Sequence, residues 1–264
     1  MSDFLDSYWR GKAVLITGAS SGLGAAVVEA LAPFGVKFGL LSRREEQMRE
    51  LASRLANGSS TFWWRTCDVK NREAVYAAVH AFHQAAGRID AVWVNSGIGG
   101  DTSFPRWQWE KFDNMMQTNL HGAIYTTLAC LEVMVRQRSG AVIGIGSASS
   151  MRGLGGRSVY SLTKIGLHYF LESLAVELPE IQFTIIHPGF VDTAINQGNP
   201  NRFWLMQPPQ AAQVMIKSVA RRKRVVIYPL PMKILYRLAQ LMPAGLYRNL
   251  ARRAIRLSRP VKAG

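Results

Sequence analysis

Residues Ala13–Thr17 read Ala-Val-Leu-Ile-Thr, and glycines follow at positions 18, 22 and 24. No other feature restricts the fold of this chain as much. Five apolar or β-branched residues without polar alternation suit a strand covered on both faces. A helical pattern starts at Gly22. A strand that passes through a glycine turn into a helix leaves the helix's first N–H groups and the positive end of its dipole at the turn. Glycine lets the backbone turn sharply there and lets a pyrophosphate approach it closely.

The same alternation continues. Short apolar runs at 36–41, 61–67, 91–95, 141–146 and 183–187 are each expected to be strands buried on both faces, and a seventh at 224–228 to close the sheet edge. Helical patterns lie between them at 22–33, 45–56, 72–86, 107–137 and 158–178. Strand–helix alternation at this spacing predicts a single α/β domain with a doubly wound parallel sheet of about seven strands. Ligands of such sheets sit beyond the carboxyl ends of the strands. Two cysteines, Cys67 and Cys130, cannot form a disulfide framework or a structural zinc site, and the five histidines show no ligand spacing, so no metal is expected.

The second strand ends Leu41-Ser42-Arg43-Arg44. An acid at this point binds a ribose 2′-hydroxyl, whereas an arginine accommodates a 2′-phosphate. With no acid at 41–44, the expected cofactor is NADP(H) in preference to NAD(H). Arg43 is read as the phosphate contact with Ser42 beside it, and Arg44 as the start of a solvated helix face. Asp68 suits either an adenine amino group or the cap of the next helix. Tyr160 and Lys164, four apart near a helix start, share a face. An ammonium one turn away, with a cationic nicotinamide, would stabilise the phenolate of a group whose ordinary pKa is about 10. Ser147, thirteen residues earlier at a strand end, could hold a carbonyl oxygen.

Together these segments resemble the short-chain dehydrogenase/reductase family over about residues 10–230. The matching stretches are TGASSGLG (17–24), CDV (67–69), NSGIG (95–99), Asn119 in TNLHG, Ser147 in GSASS, YSLTK (160–164) and HPGFVDT (187–193). The resemblance implies a Rossmann-type fold and hydride transfer between a nicotinamide and a carbonyl or hydroxyl carbon. It implies Tyr160 as general acid or base, Lys164 as ribose ligand and pKa modulator, Ser147 as substrate ligand, and Asn119 at a helix break holding a proton-relay water. Gly18, Ser20, Ser21, Gly22, Leu23, Gly24, Ser42, Arg43, Asp68, Val69, Asn95, Gly97, Tyr160, Lys164, Pro188, Gly189, Val191 and Thr193 would form the cofactor site. Within that set Asn95 chiefly ties strands together, Gly97 lets the backbone pass the adenosine ribose, and Pro188, Gly189 and Thr193 meet the carboxamide. Two departures stand out. Ser96 replaces the family's usual alanine, and Gly144 and Gly146 stand where bulkier residues are common; they either open room beside the substrate or reflect close helix packing. Homodimers or homotetramers through helices near 107–137 and 158–178 are also implied.

The substrate segment at 194–209 holds Asn199, Pro200, Phe203, Trp204, Leu205 and Met206, and Met151, Leu154, Gly155 and Gly156 follow Ser147. This lining favours a lipophilic ketone, aldehyde, steroid or lipid-like alcohol; Arg152, Arg157 and Arg202 would favour an anionic head group or are solvated. The net charge is +15, and it is lopsided. All 17 carboxylates lie in residues 1–192, whereas residues 193–264 hold 14 of the 32 Lys+Arg and no acid. Residues 1–228 are read as the catalytic domain and 229–264 as a basic helical extension. In one predicted helix Lys233, Arg237 and Gln240 oppose Ile234, Leu235, Leu238 and Leu241; in the next, Arg248, Arg252, Arg256 and Arg259 oppose Leu246, Leu250, Ala254 and Leu257. Such helices would lie on an anionic membrane surface or roof the substrate cleft; a nucleic-acid partner is not expected, because no recognition fold accompanies them. The first twelve residues carry two acids and no apolar core. A cytoplasmic location is therefore expected, with peripheral attachment to the inner face of a membrane. A membrane-associated NADP(H)-binding scaffold with little turnover is the alternative to an enzyme.

Overall fold

The structure is a computed structural model that describes residues 2–197 and 202–257. Asn199, Pro200 and Arg259 lie outside the described residues, as do the side chains of Ala254, Arg256 and Leu257. Seven strands form one sheet: β1 (Ala13–Thr17), β2 (Lys37–Ser42), β3 (Thr61–Thr66), β4 (Ala91–Val94), β5 (Ala141–Ile145), β6 (Gln182–Pro188) and β7 (Val225–Tyr228). All are parallel in the order β3-β2-β1-β4-β5-β6-β7, the expected doubly wound α/β arrangement.

Ten α-helices lie among the described residues: α1 (Ser2–Trp9), α2 (Gly22–Leu31), α3 (Glu45–Leu55), α4 (Arg72–Ala86), α5 (Trp109–Met116), α6 (Gly122–Gln137), α7 (Ser158–Glu177), α8 (Pro208–Ala220), α9 (Leu230–Leu241) and α10 (Ala244–Leu257). The period of two along each strand divides the apolar residues between two cores. Val14, Ile16, Ile143 and Ile145 face α1, α2 and α8, while Leu15 and Val142 face α4, α6 and α7. The expected helix over 107–137 is two helices joined by a π-helical turn, Gln117–His121, which carries Asn119.

Three features differ from the sequence-based expectation. The run 61–67 is not covered on both faces: as β3 it is a sheet edge, with Thr61, Arg65 and Thr66 exposed. Helices α1 and α8 were not expected, and they pack on each other. Fully buried Trp9 of α1 donates from Nε1 to the Ile216 carbonyl of α8 at 3.3 Å and stacks on Trp93 with ring centres 6.3 Å apart. Gly144 is explained by packing, because a Cβ there would lie 2.5 Å from Leu171 Cδ1 of α7.

Trp9→Ala would open a cavity between sheet and helices. A loss of about 3–5 kcal/mol is expected, read as a lower urea midpoint with an unchanged slope. A midpoint within error of the parent would show that α1 contributes no core packing.

Candidate active site

Parallel strand order reverses direction between β1 and β4, so their carboxyl ends part and leave a crevice. Thr17 and Asn95 hold its two lips. Thr17 Oγ1 donates to the Trp93 carbonyl at 3.3 Å and accepts from the Asn95 and Ser96 N–H groups at 3.1 and 3.2 Å. Asn95 Nδ2 donates to the Thr17 and Gly18 carbonyls at 3.0 and 3.3 Å, the strand-tying role expected of it.

The glycine turn sits on this support. Gly18 and Gly22 have φ of +65° and +57°, in the region that disfavours a Cβ. A Cβ on Gly24 would lie 2.3 Å from the Gly18 carbonyl oxygen, so only glycine lets α2 start this close to the strand. Ser21 and Leu23 flank Gly22 at the open end of α2. Gly22 faces Thr193 of the loop after β6, whose methyl would stand 3.3 Å from a Cβ at 22. That loop begins at Pro188-Gly189, and buried Val191 anchors it by bridging to Met206. The cradle and its donors fit a dinucleotide pyrophosphate: it combines positive φ, a helix N-terminus and no room for side chains.

At the end of β2, Ser42 Oγ lies 2.8 Å from Ser20 Oγ. Arg44 is exposed at the N-cap of α3, as expected, but it also reaches back along the surface. Its Nη2 donates to Ser20 Oγ at 2.8 Å and to Ser21 Oγ at 2.6 Å, so the guanidinium folds onto the glycine turn. Arg43 is exposed and has no hydrogen-bond partner among the described residues. Asp68 does not cap α4; Asn71 does, accepting from the Ala74 N–H at 2.8 Å. Asp68 instead accepts from the Lys70 N–H at 3.0 Å, and buried Val69 packs against Gly122 at the start of α6.

Across the crevice, Tyr160, Lys164, Ser147 and Asn119 converge. The Tyr160 hydroxyl faces Ser147, near enough for the serine to lower the phenol's pKa. Ser147 Oγ also accepts from the Ser149 N–H at 3.1 Å, which fixes the hydroxyl. Burial holds the Tyr160 phenol above its ordinary pKa, opposed by the nearby Ser147 hydroxyl and the Arg157 charge. Lys164 Nζ lies 5.8 Å from the Tyr160 ring centre and donates to the Ile145 carbonyl at 2.8 Å. Burial pulls its pKa down to about 8. Gly97 faces this ammonium: a Cβ there would stand 3.3 Å from Nζ and 3.5 Å from Asn119 Oδ1. The Asn119 side chain is fully used, accepting from the Ile98 N–H at 2.8 Å and donating to the Ile98 carbonyl and Thr163 Oγ1 at 2.9 and 3.3 Å. It therefore clamps the segment after β4 onto the π-helical turn.

The sequence reading placed His187 in HPGFVDT but gave it no role, although a histidine inside an apolar strand run is a signal. It is fully buried, with Nδ1 3.0 Å from Ser150 Oγ and 3.1 Å from the Ser147 carbonyl, and Nε2 3.1 Å from His168 Nδ1. Gly146 makes room for it, since a Cβ would fall 2.6 Å from the imidazole Nδ1. Burial, then the neighbouring His168, pull its pKa down to about 3, so the ring is neutral and holds the catalytic loop by hydrogen bonds alone. Of the expected head-group arginines, Arg202 pairs with Asp192 at 2.7 Å. Arg152 donates to the Ala239 and Met242 carbonyls at 3.1 and 2.6 Å, and only Arg157 stays beside Tyr160. A cleft of about 640 Å³ lies beside Asp68 and one of about 380 Å³ behind the catalytic loop. Neither is lined by Tyr160, Lys164 or Ser147, so side-chain geometry and not cavity size locates the chemistry. Among the described residues no group of three His, Cys, Asp or Glu could hold a metal ion.

The sequence profile described as short chain dehydrogenase matches residues 12–202. The chain belongs to this family. Among its relatives, an uncharacterized oxidoreductase of Myxococcus xanthus (strain DK1622) is 34% identical over 246 residues, covering 92% of this chain and 97% of its own. Another, from Staphylococcus aureus (strain USA300), is 31% identical over 217 residues, covering 81% and 93%. Of solved structures, the alcohol dehydrogenase of the archaeon Thermococcus sibiricus, complexed with 5-hydroxy-NADP, aligns with a TM-score of 0.76 at 26% identity, over 83% of this chain and 95% of that one. Levodione reductase aligns with a TM-score of 0.75 at 26% identity, over 83% and 96%. This short chain dehydrogenase is accordingly an oxidoreductase of alcohol or carbonyl groups that uses a nicotinamide cofactor.

The buried histidines make stability depend on pH. His187 and His168 both have depressed pKa values in the folded chain, so the unfolded chain binds more protons below pH 6.5. Folding stability should therefore fall as pH drops from about 6.5 to 5, with a slope approaching 1.4 kcal/mol per pH unit for each proton. Urea midpoints measured across that window check this; a flat profile would mean that the histidines are not buried neutral.

Proposed function

We propose that this enzyme is an NADP(H)-dependent carbonyl reductase or alcohol dehydrogenase for lipophilic substrates. One observation carries the reading: the Tyr160 hydroxyl faces Ser147 while Lys164, one helical turn away, is buried with its ammonium beside Gly97. The bound nicotinamide supplies the hydride for a carbonyl carbon, or takes it from an alcohol carbon. In reduction Tyr160 Oη gives a proton to the carbonyl oxygen; in oxidation it takes the proton back. Ser147 Oγ, already accepting from Ser149, keeps its own proton for the same oxygen. Lys164 opposes the burial that raises the phenol's pKa and holds the nicotinamide ribose from the floor of the crevice. Because the Asn119 side chain is committed to Ile98 and Thr163, a relay water at this residue falls to its main-chain carbonyl.

The 2′-phosphate reading rests on the absence of an acid after β2 and on two arginines there. Arg44, with its guanidinium over Ser20 and Ser21, is the better placed, and Arg43 is free to join it. The archaeal relative complexed with an NADP derivative supports the same choice. The lipophilic substrate follows from the walls. Tyr160 packs with Met115 and Val159, against Ile98, Trp107, Phe112 and Met116. Phe190, Phe203 and Trp204 form an edge-to-face chain with centres 5.0 Å apart on the opposite loop. A homodimer or homotetramer would cover Leu162, Tyr169 and Val176, three exposed apolar residues spaced by seven along α7.

Tyr160→Phe should lower kcat for NADPH-dependent reduction of hydrophobic ketones by at least about a hundredfold, with cofactor affinity retained. Undiminished turnover would remove Tyr160 from the chemistry; no turnover by the parent on any panel member would leave the NADP(H)-binding scaffold. Arg44→Ala should raise KM for NADPH roughly tenfold or more and leave KM for NADH nearly unchanged. An equal effect on both coenzymes would give the 2′-phosphate to another group, with Arg43→Ala as the parallel measurement.

A further inference from the structure

Helix α9 has three faces instead of two. Met232, Tyr236 and Ala239 are buried against Ala148 and Ile227, beside Met151 and Phe190. Lys233 and Arg237 form an exposed basic edge. The remaining face points to solvent and consists of Leu230, Ile234, Leu238 and Leu241, which are 67%, 54%, 57% and 83% exposed. Spacings of four, four and three place these residues in one continuous stripe. Packing on the body therefore does not consume the apolar stripe. Helix α10 continues it with exposed Leu246 and Leu250, and its Arg248, Arg252 and Arg253 are exposed too. Four adjacent large aliphatic side chains on the outer face of a surface helix are not explained by solubility.

The orientation is held firmly. Arg152 from the loop after Ser147 donates to the Ala239 and Met242 carbonyls at the end of α9 and lies 4.7 Å from the centre of the Tyr247 ring. Tyr247 Oη in turn donates to the Gly153 carbonyl at 2.8 Å. The stripe is therefore fixed beside the catalytic loop.

Charge identifies the occupant. From residue 193 onward the chain carries 14 Lys+Arg and no carboxylate. A second copy seated on this face would set basic side chains against basic side chains, since a two-fold contact repeats the same patch. A convex, leucine-rich ridge flanked by lysine and arginine matches the boundary of an anionic bilayer, where the aliphatic groups enter the acyl region and the cations meet phosphates. No helix among the described residues is long and apolar enough to cross a membrane, so the contact is peripheral. We propose that the outer face of α9 and α10 is a docking surface for an anionic lipid bilayer. This does not depend on which substrate or coenzyme the crevice takes.

Vesicle flotation of the full chain tests it, with phosphatidylcholine vesicles alone and with phosphatidylglycerol included. The expected result is recovery with phosphatidylglycerol vesicles, weakened by added salt. Leu238→Ser combined with Leu241→Ser should reduce partitioning roughly tenfold or more, since both side chains lose their burial in the acyl region. Lys233→Gln combined with Arg237→Gln should reduce it about tenfold on anionic vesicles. Both pairs are exposed, so an unchanged melting temperature verifies folding. Failure of the parent to float with anionic vesicles, or undiminished flotation of the leucine variant, overturns the proposal. If the parent does not float and the leucine variant instead shortens an oligomer in size-exclusion chromatography, the occupant is a second copy and the proposal is equally overturned.

Discussion

The site depends on how the sheet is pinned where it divides. Strand order reverses between β1 and β4, whose ladder ends at Ile16 and Trp93, so the segments beyond it need a tie of their own. Thr17 Oγ1 supplies it by serving the Trp93 carbonyl and the Asn95 and Ser96 N–H groups together, and the Asn95 amide returns to Thr17 and Gly18. Each of these groups is at least partly removed from water, where an unmet bond costs about 1–3 kcal/mol. The knot thereby fixes the height of the glycine turn relative to the segment that runs on to Gly97. The dinucleotide cradle and the Lys164 ammonium are thus positioned from one place.

The other half of the crevice is organised by buried polar groups used for geometry. His187 would be costly as a cation so far from water, and burial keeps it neutral. A neutral ring can still meet Ser150, the Ser147 main chain and His168, which holds the catalytic serine at the end of β5. Glycine at 146 is the matching half of that arrangement, because any side chain there would occupy the space of the imidazole. Asn119 works in the same way from the opposite wall. Its amide saturates the Ile98 main chain, so the π-helical turn and the loop after β4 move together. The positions of Ser147 and Lys164 thus rest on neighbours that serve only to hold them.

Much of this was legible before the structure. The strands were readable because burial on both faces writes an unbroken apolar run, and the ligand groups were readable because each stands at a strand end or one helical turn apart. What escaped depends on partners distant in sequence. Eight residues of α1 say little until Trp9 meets Trp93 and Ile216. Helix α8 opens on two prolines directly after the substrate segment, and its helical spacing merges with that loop. The exposure of β3 follows from strand order, which no local pattern encodes. The exposure of Arg44 at the start of α3 was legible, but its contacts were not, because its hydrogen-bond partners lie 23 and 24 residues earlier.

Helix α9 shows the same limit in its sharpest form. A helix with one apolar and one basic face is expected to bury the apolar side. Here Met232, Tyr236 and Ala239 make the body contact from between those faces. Tyr236 is decisive: its ring lies 5.3 Å from that of His187, and its hydroxyl approaches Ser150 without meeting hydrogen-bond geometry. The helix therefore closes the wall behind the His187 and Ser147 cluster with the Tyr236 ring and Met232. With the helix turned so that Tyr236 faces the loop, Leu230, Ile234, Leu238 and Leu241 stay outside. The outward stripe and the ordered catalytic loop are thus two results of one packing choice.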